Sequence, residues 1–246
     1  HVLPLLEGGA QRLMQLLAET GWAPLPAGVQ PSVAEGVTCD VAVIGGGVGG
    51  MTAALRLAEA GADVVLLEAQ TCGWGASSRN AGYVTNSVAA DPGLLALLFS
   101  RSKVRALFRY AEAAVEFTQD AIAGRGIDCD FEKIGIVQAA VSKGQLRKAR
   151  RNAKIMAAAG SSAEFVEGPA GGLPDGFLGG MREGIGGTLN PGKYVLGLRD
   201  AVLSSRARVF EHTRVQNVVD HASGVTIETA GGRVRAIETT QGRIGT

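Results

Sequence analysis

Three cysteines and three histidines are all that this 246-residue chain offers to a soft metal. Cys39, Cys72 and Cys129 are odd in number and lack any C-x-x-C spacing, which argues against a disulfide framework and for a reducing, cytoplasmic setting. His1, His212 and His221 stand at no spacing from them that suggests zinc. No uninterrupted apolar run reaches the roughly 18 residues of a membrane span. The longest uncharged candidate, Val41 to Leu55, is interrupted by five glycines. Charge of neither sign dominates: the net value is +1, which argues against a nucleic-acid partner held by phosphate neutralisation. No charged start followed by an apolar block and a cleavage site is visible, so no secretory signal is expected. The chain opens on His1 rather than Met, as a processed chain or a fragment does.

Glycine, by contrast, is abundant, at 36 residues, and it is neither periodic nor confined to one tract. Collagen and linker compositions are thereby excluded. The length suits one large domain or two small ones. An amphipathic helix is expected over Leu3 to Glu19, with Leu13, Leu16 and Leu17 on one side, followed by a Pro-containing linker over Gly21 to Gly36. A long helical stretch is expected from Pro92 to Ala123, with Val104, Leu107, Phe108, Ala111 and Val115 on one face. Two short strands are expected over Asp128 to Ser142, around Lys133-Ile134-Gly135, then a basic, solvated helix over Lys143 to Ala159, then a loop-rich region over Gly168 to Gly187. Asn190 and Pro191 fit the N-cap and first turn of a further helix whose buried face holds Tyr194, Gly197, Leu198, Ala201 and Val202. Val209 to Glu238 is expected to form short strands with turns at Ala222-Ser223-Gly224 and Gly231-Gly232.

The chemistry begins at "CDVAVIGGGVGGMTAALRLAEAGADVVLLEA". Val41 to Ile44 is a continuous apolar run, as expected of a strand buried on both faces. Met51, Ala54, Leu55 and Ala58 mark a helix face, Gly61 ends that helix, and Val64 to Leu67 is a second buried strand ending at Glu68. The unit has the length of one β-α-β crossover, about 30 residues. Gly45, Gly47 and Gly50 fit G-x-G-x-x-G, and the intervening Val48 and Gly49 complete the turn. Gly45 permits the tight turn, Gly47 lets the backbone approach a pyrophosphate, and Gly50 lets the helix pack closely on the sheet. The helix N-terminus then presents free N–H groups to the anion. Glu68, 18 residues beyond Gly50, stands where a ribose hydroxyl would donate to it, with Ala69 next in line. Gln70 and Thr71 carry no charge, which disfavours a 2′-phosphate and hence NADP. NAD and FAD both remain, because the same turn serves the ADP half of either.

The loop that follows, "TCGWGASSRNAG" from Thr71 to Gly82, contains no His, Asp, Glu or Lys, only one Arg and one Asn among small residues. Together with the β-α-β unit it resembles the FAD-dependent oxidoreductases of the D-amino-acid oxidase superfamily, in the branch holding the gamma-glutamylputrescine, glycine and sarcosine oxidases. "GIDCDFEKIGIVQAA" from Gly126 and "GGTLNPGKYVLGLRDAVLSSRARVFEHTRV" from Gly186 are similar to later segments of the same family, in the family's order. The resemblance implies a Rossmann-like α/β FAD-binding domain with a parallel sheet, interrupted by pieces of an α+β substrate domain. It runs from about Cys39 to Val215, and after the N-terminal helix and linker expected over 1–36 it implies a first FAD-binding segment over 37–92, an incomplete helical and substrate-domain segment over 93–185, and an incomplete second FAD-binding segment over 186–246. It implies cofactor contacts from Ser77, Ser78, Arg79 and Asn80, and from the backbone of Val215 against the adenine. An Arg fork suits a diphosphate, and small residues let backbone N–H groups reach it.

Family members are longer than this chain, so the resemblance implies an N-terminal part of the family fold. The implied reaction is oxidation of the C–N bond of a small amine or amino acid by hydride transfer to flavin. A truncated dinucleotide-binding module without turnover and an NAD-dependent dehydrogenase are the alternatives. No residue stands out as a catalytic acid or base. Tyr83 either faces the site or packs, packing being the expectation; His212 and His221 are expected to be structural, and Cys72 to be a packed or idle thiol.

Overall fold

The computed structural model of the chain describes residues 22–23, 26, 28–34, 36–88 and 90–241. The helix expected over Leu3 to Glu19 lies outside them. The elements, in chain order, are β1 (Val37–Ile44), α1 (Val48–Glu59), β2 (Val64–Leu67), β3 (Tyr83–Val84), α2 (Pro92–Leu98), α3 (Arg101–Arg125), β4 (Ile136–Ala140), α4 (Lys143–Ala158), β5 (Ala163–Glu167), β6 (Gly179–Glu183), β7 (Gly187–Thr188), α5 (Pro191–Leu203), β8 (Arg208–Phe210), β9 (Val215–His221), β10 (Gly224–Thr229) and β11 (Arg233–Gln241). They fall into two compact units. The first comprises the chain up to Ala81, Ile127–Cys129 and everything from Asn190; the second comprises Gly82–Gly126 and Asp130–Leu189.

The first unit is built on a six-stranded sheet in the order β8-β2-β1-β11-β10-β9. Its first four strands run parallel, and β10 and β9 add antiparallel. All four residues of β2 are buried, which is why Val64 to Leu67 reads as an unbroken apolar run rather than an alternation. In α1 the buried residues are Met51, Ala54, Leu55 and Ala58, one stripe at helical spacing. One side of the sheet closes over Val33, Cys39, Ala42, Val65, Leu67, Ile227, Val234 and Ala236. Val33 is only 2% exposed, and its N–H donates to Thr213 Oγ1 at 3.1 Å. The end of the expected linker is therefore a packed strap, because one apolar side chain has a core to enter and its backbone has a partner. Helix α5 starts as expected: Asn190 Oδ1 accepts from the Lys193 N–H at 3.0 Å, and Pro191 occupies the first turn.

The second unit carries an antiparallel sheet in the order β4-β6-β5 and a two-stranded ribbon of β3 with β7. Its core joins Leu95 of α2, Val104 and Phe108 of α3, Ala153 and Met156 of α4, and Ala163 and Met181 of the sheet. Three expectations change here. The helical stretch from Pro92 is two helices, because Ser100 leaves the helix and its hydroxyl caps the Lys103 N–H of α3 at 3.4 Å. Only the second of the two short strands around Gly135 forms; before it, Glu132 makes an isolated bridge to Thr188. The supposedly loop-rich region contains β6, the central strand of the sheet. Its Gly180 would, with a Cβ, stand 2.8 Å from Gln138 O, so neighbouring strands require the residue that propensity assigns to a loop.

Helix α4 is basic and largely exposed, yet its charges do not all face water alone. Lys148 and Arg151 both pair with Asp91 at 3.1 Å, and Arg150 pairs with Glu167 at 2.8 Å. Among the described residues, no helix is long and apolar enough to cross a membrane.

Candidate cofactor site

The turn between β1 and α1 is shaped by two glycines. Gly45 has φ 104°, a left-handed conformation that disfavours a side chain. A Cβ on Gly50 would collide with the carbonyl oxygen of Gly45, so the helix lies as close to its own entry strand as backbone allows. Between them, Gly47 is the N-cap of α1 in extended geometry, with no side-chain cap and no acidic residue in the first turn. No acidic side chain of α1 itself offsets the partial positive charge of this helix end.

Two elements close around the turn. Glu68, half-buried at the end of β2, accepts from the Gly46 N–H at 2.6 Å through one oxygen and from the Gln70 N–H at 2.8 Å through the other. The loop after β2 folds back over the start of α1: Ser77 Oγ accepts from the Val48 N–H at 3.1 Å. A Cβ on Gly47 would come within 2.9 Å of that hydroxyl. Residues 76–78 form a single 3-10 turn. Ser78 is buried and donates to Gly73 O at 2.5 Å, while the Gly73 N–H donates to Gly46 O at 2.8 Å.

The structure thus brings Gly45, Gly47, Val48, Gly49, Gly50, Glu68, Ser77 and Ser78 into one cluster with Gly46, which the spacing rule passes over. Arg79 and Asn80 are exposed at its margin. The Arg79 guanidinium lies 4.7 Å over the Trp74 ring and donates to Gly75 O at 3.1 Å. Asn80 Nδ2 donates to Ser77 O at 2.8 Å. These bonds brace the loop that carries them. Ala69 is half-buried beside Glu68, and Val215 opens β9. The Thr213 N–H, two residues earlier, donates to Glu68 O at 2.7 Å, which ties the start of β9 to the end of β2. A glycine-built helix N-terminus, a carboxylate at the next strand end and a guanidinium on an exposed residue suit a diphosphate joined to a ribose diol. The donor set therefore fits FAD.

Sequence reasoning missed what lies beneath. Glu211, just after β8, is 0% exposed and forms an ion pair at 3.0 Å with Arg199 of α5, itself 5% exposed. Burial alone would raise the Glu211 pKa. Hydrogen bonds from Arg199 and from the Gln30 and Cys72 N–H groups outweigh it and hold the carboxyl below its usual range. Cys72 is buried, and burial first, then the nearby Glu211 and Glu68 charges, push its thiol well above the ordinary value, consistent with an unreactive sulfur. The available signal was a charge inside an apolar helical stripe, since Arg199 sits among Val195, Leu198 and Val202.

Comparison with known proteins places the chain in a family. The profile of the family described as "FAD dependent oxidoreductase" matches residues 40–242. Gamma-glutamylputrescine oxidoreductase of Escherichia coli is 32% identical over 213 residues, covering 82% of this chain and 48% of that protein. A probable oxidoreductase, OrdL, of Haemophilus influenzae is 27% identical over 202 residues, covering 79% and 46%. Glycine oxidase from Geobacillus kaustophilus superposes with a TM-score of 0.66 at 24% identity, over 84% of this chain and 55% of that one. A deletion form of L-amino acid deaminase from Proteus vulgaris gives 0.72 at 18% identity, over 91% and 58%. The chain spans about half the length of the curated relatives it matches. On the strength of the profile match and the identity to the Escherichia coli relative, the chain belongs to the DAO family of FAD-dependent oxidoreductases.

Proposed function

We propose that this chain supplies the FAD-binding part of an enzyme that oxidises the C–N bond of a small amine or amino acid. The observation that carries the reading is the junction of three parts at one helix end: the glycine N-terminus of α1, the Glu68 carboxylate on the Gly46 N–H, and the Ser77 hydroxyl on the Val48 N–H. The first-turn N–H groups beyond Val48, whose N–H holds Ser77 Oγ, and the α1 dipole would take the pyrophosphate. Glu68 would exchange a backbone hydrogen bond for a ribose hydroxyl. Arg79 and Asn80 would bound the phosphates from the loop side, with Ser77 and Ser78 setting that loop's height. Ala69 and the Val215 backbone would border the adenine end. When bound, FAD supplies the acceptor for hydride from the carbon beside the substrate nitrogen. The amine or amino-acid class follows from the relatives named gamma-glutamylputrescine oxidoreductase and glycine oxidase.

The test is cofactor retention. The purified chain is expected to hold FAD, read from visible flavin absorbance and fluorescence quenching. Arg79→Ala is expected to raise the FAD Kd by about tenfold, as loss of a charged hydrogen-bond donor does, with an unchanged far-ultraviolet circular dichroism spectrum. Selective NAD binding without flavin would overturn the proposal. Amine-dependent peroxide formation by FAD-loaded protein separates an oxidase from a binding module without turnover.

A further inference from the structure

The glycine turn and the loop beside it both rest on one carboxylate. Glu211 Oε1 accepts from the Cys72 N–H at 2.8 Å and from Arg199 Nε at 3.0 Å. Its Oε2 accepts from the Gln30 N–H at 2.8 Å and from Arg199 Nη2 at 3.0 Å. Arg199 Nη2 also donates to Gly28 O at 2.6 Å. One ion pair therefore joins four stretches that are far apart in the chain: the strap before β1, the loop after β2, helix α5 and the end of β8.

The connection continues outward into the site. Cys72 is followed by Gly73, whose N–H holds Gly46 O and whose carbonyl accepts from Ser78 Oγ. Cys72 Sγ occupies the space beside Gly46, where an added Cβ would stand 2.6 Å from it. On the other side of the loop, a Cβ on Gly73 would meet the Val195 side chain of α5. The loop is thus confined between the glycine turn and α5, with the Cys72 N–H as its anchor. Any shift of that anchor moves Gly46 on one side and the 3-10 turn bearing Ser77 and Ser78 on the other.

We propose that Glu211 and Arg199 are positioning residues for the FAD site: through the Cys72 N–H they set the distance between the glycine turn and the Ser77–Asn80 loop, and through the Gln30 N–H and Gly28 O they couple the seating of the strap before β1 to cofactor retention. This rests on the cofactor reading above. A purely structural pair behaves differently. Apolar side chains of similar volume can replace a buried ion pair without loss of stability. They cannot accept the Cys72 and Gln30 N–H groups.

The test is the double variant Arg199→Met with Glu211→Leu, in the full chain, beside the unaltered protein. Melting temperature, FAD Kd and the visible circular dichroism of bound flavin are measured on each. The expected result is a lowered melting temperature, because the Cys72 and Gln30 N–H groups lose their acceptor, in a variant still folded at the temperature of the binding assay, with a Kd raised about tenfold and an altered flavin dichroism. A stable double variant with unchanged Kd and dichroism overturns the positioning role and leaves the cofactor reading intact. Absence of FAD binding by the unaltered protein overturns the cofactor reading, and this proposal with it. Should the double variant not fold, Arg199→Lys keeps the charge but loses the planar fork. It is expected to raise the Kd several-fold, and an unchanged Kd there is equally decisive against the role.

Discussion

Among the described residues, each of the two compact units buries one glutamate at 0% exposure, and they do it by opposite means. Glu211, in the first unit, has a guanidinium and two backbone N–H groups. Glu183, in the second, accepts from the Thr85 hydroxyl and from Gln138 Nε2 at 3.0 Å, both neutral donors. Among the described residues no ion pair to it occurs. The difference concerns what each carboxyl connects. Glu211 joins loops, whose backbone donors have no ladder partner and need an acceptor strong enough to hold them. Glu183 lies in β6, where its backbone is already held by strands on both sides. Its side chain has only to satisfy two nearby donors.

Arg199→Ala tests the comparison hardest. It leaves Glu211 buried without its cation and is expected to cost about 3–5 kcal/mol in urea unfolding. A loss below about 1 kcal/mol would mean that the pair matters no more than a surface bridge. Gly50→Ala separates the backbone-made part of the first unit from the side-chain-made part. The new Cβ meets Gly45 O, and overpacking of this kind costs about 1–3 kcal/mol. FAD retention should fall with it, since helix and turn must move apart.

Glu183→Gln probes the other side of the comparison. The amide keeps one acceptor for two donors, so the expected loss is about 1 kcal/mol. A loss equal to that of Arg199→Ala would abolish the distinction. The smallest effect is expected at a third carboxylate, Asp91, which is only partly buried. Burial would raise its pKa, but hydrogen bonds from Asn152, Lys148 and the Leu94 N–H outweigh it and hold the value at about 2. A folded value below the ordinary 3.8 means that the contribution is complete above pH about 4 and is lost as pH falls toward 2. Asp91→Asn should therefore cost about 1 kcal/mol or less at neutral pH, because solvent screens the partners. The two proteins should converge in stability near pH 2, and a pH-independent difference would contradict this account.

The same two units differ in how far they could be read beforehand. In the first, Val41–Ile44, the stripe Met51-Ala54-Leu55-Ala58, Val64–Leu67 and the Asn190-Pro191 helix start all stand as expected. Their signals are local: a buried run, a helical period, a cap. In the second, β5 and β6 gave no usable pattern. Glycines at 179 and 180 look like a loop, yet they are there because Val166 O, Leu146 and Gln138 O approach too closely for side chains. That constraint comes from strands and a helix distant in the chain. The division of Pro92–Ala123 at Ser100 was local and could have been found, since a serine followed by a helical period is a cap signal.

Within the site the same division holds. The sequence alone determined the dinucleotide turn, because Gly45 needs a left-handed backbone and Gly50 a close approach, and only glycine permits both. It also determined the acidic strand end at Glu68 and, through the Ser77–Asn80 loop, the flavin family. Only the tertiary structure decided that Glu68 holds the Gly46 N–H, that Ser77 covers Val48, and that Arg199 and Glu211 meet under the loop. The physical reason is range. Backbone conformation and periodicity act over a few residues, whereas a buried charge finds its partners only once α5, β8, the strap and the loop have been brought together around it.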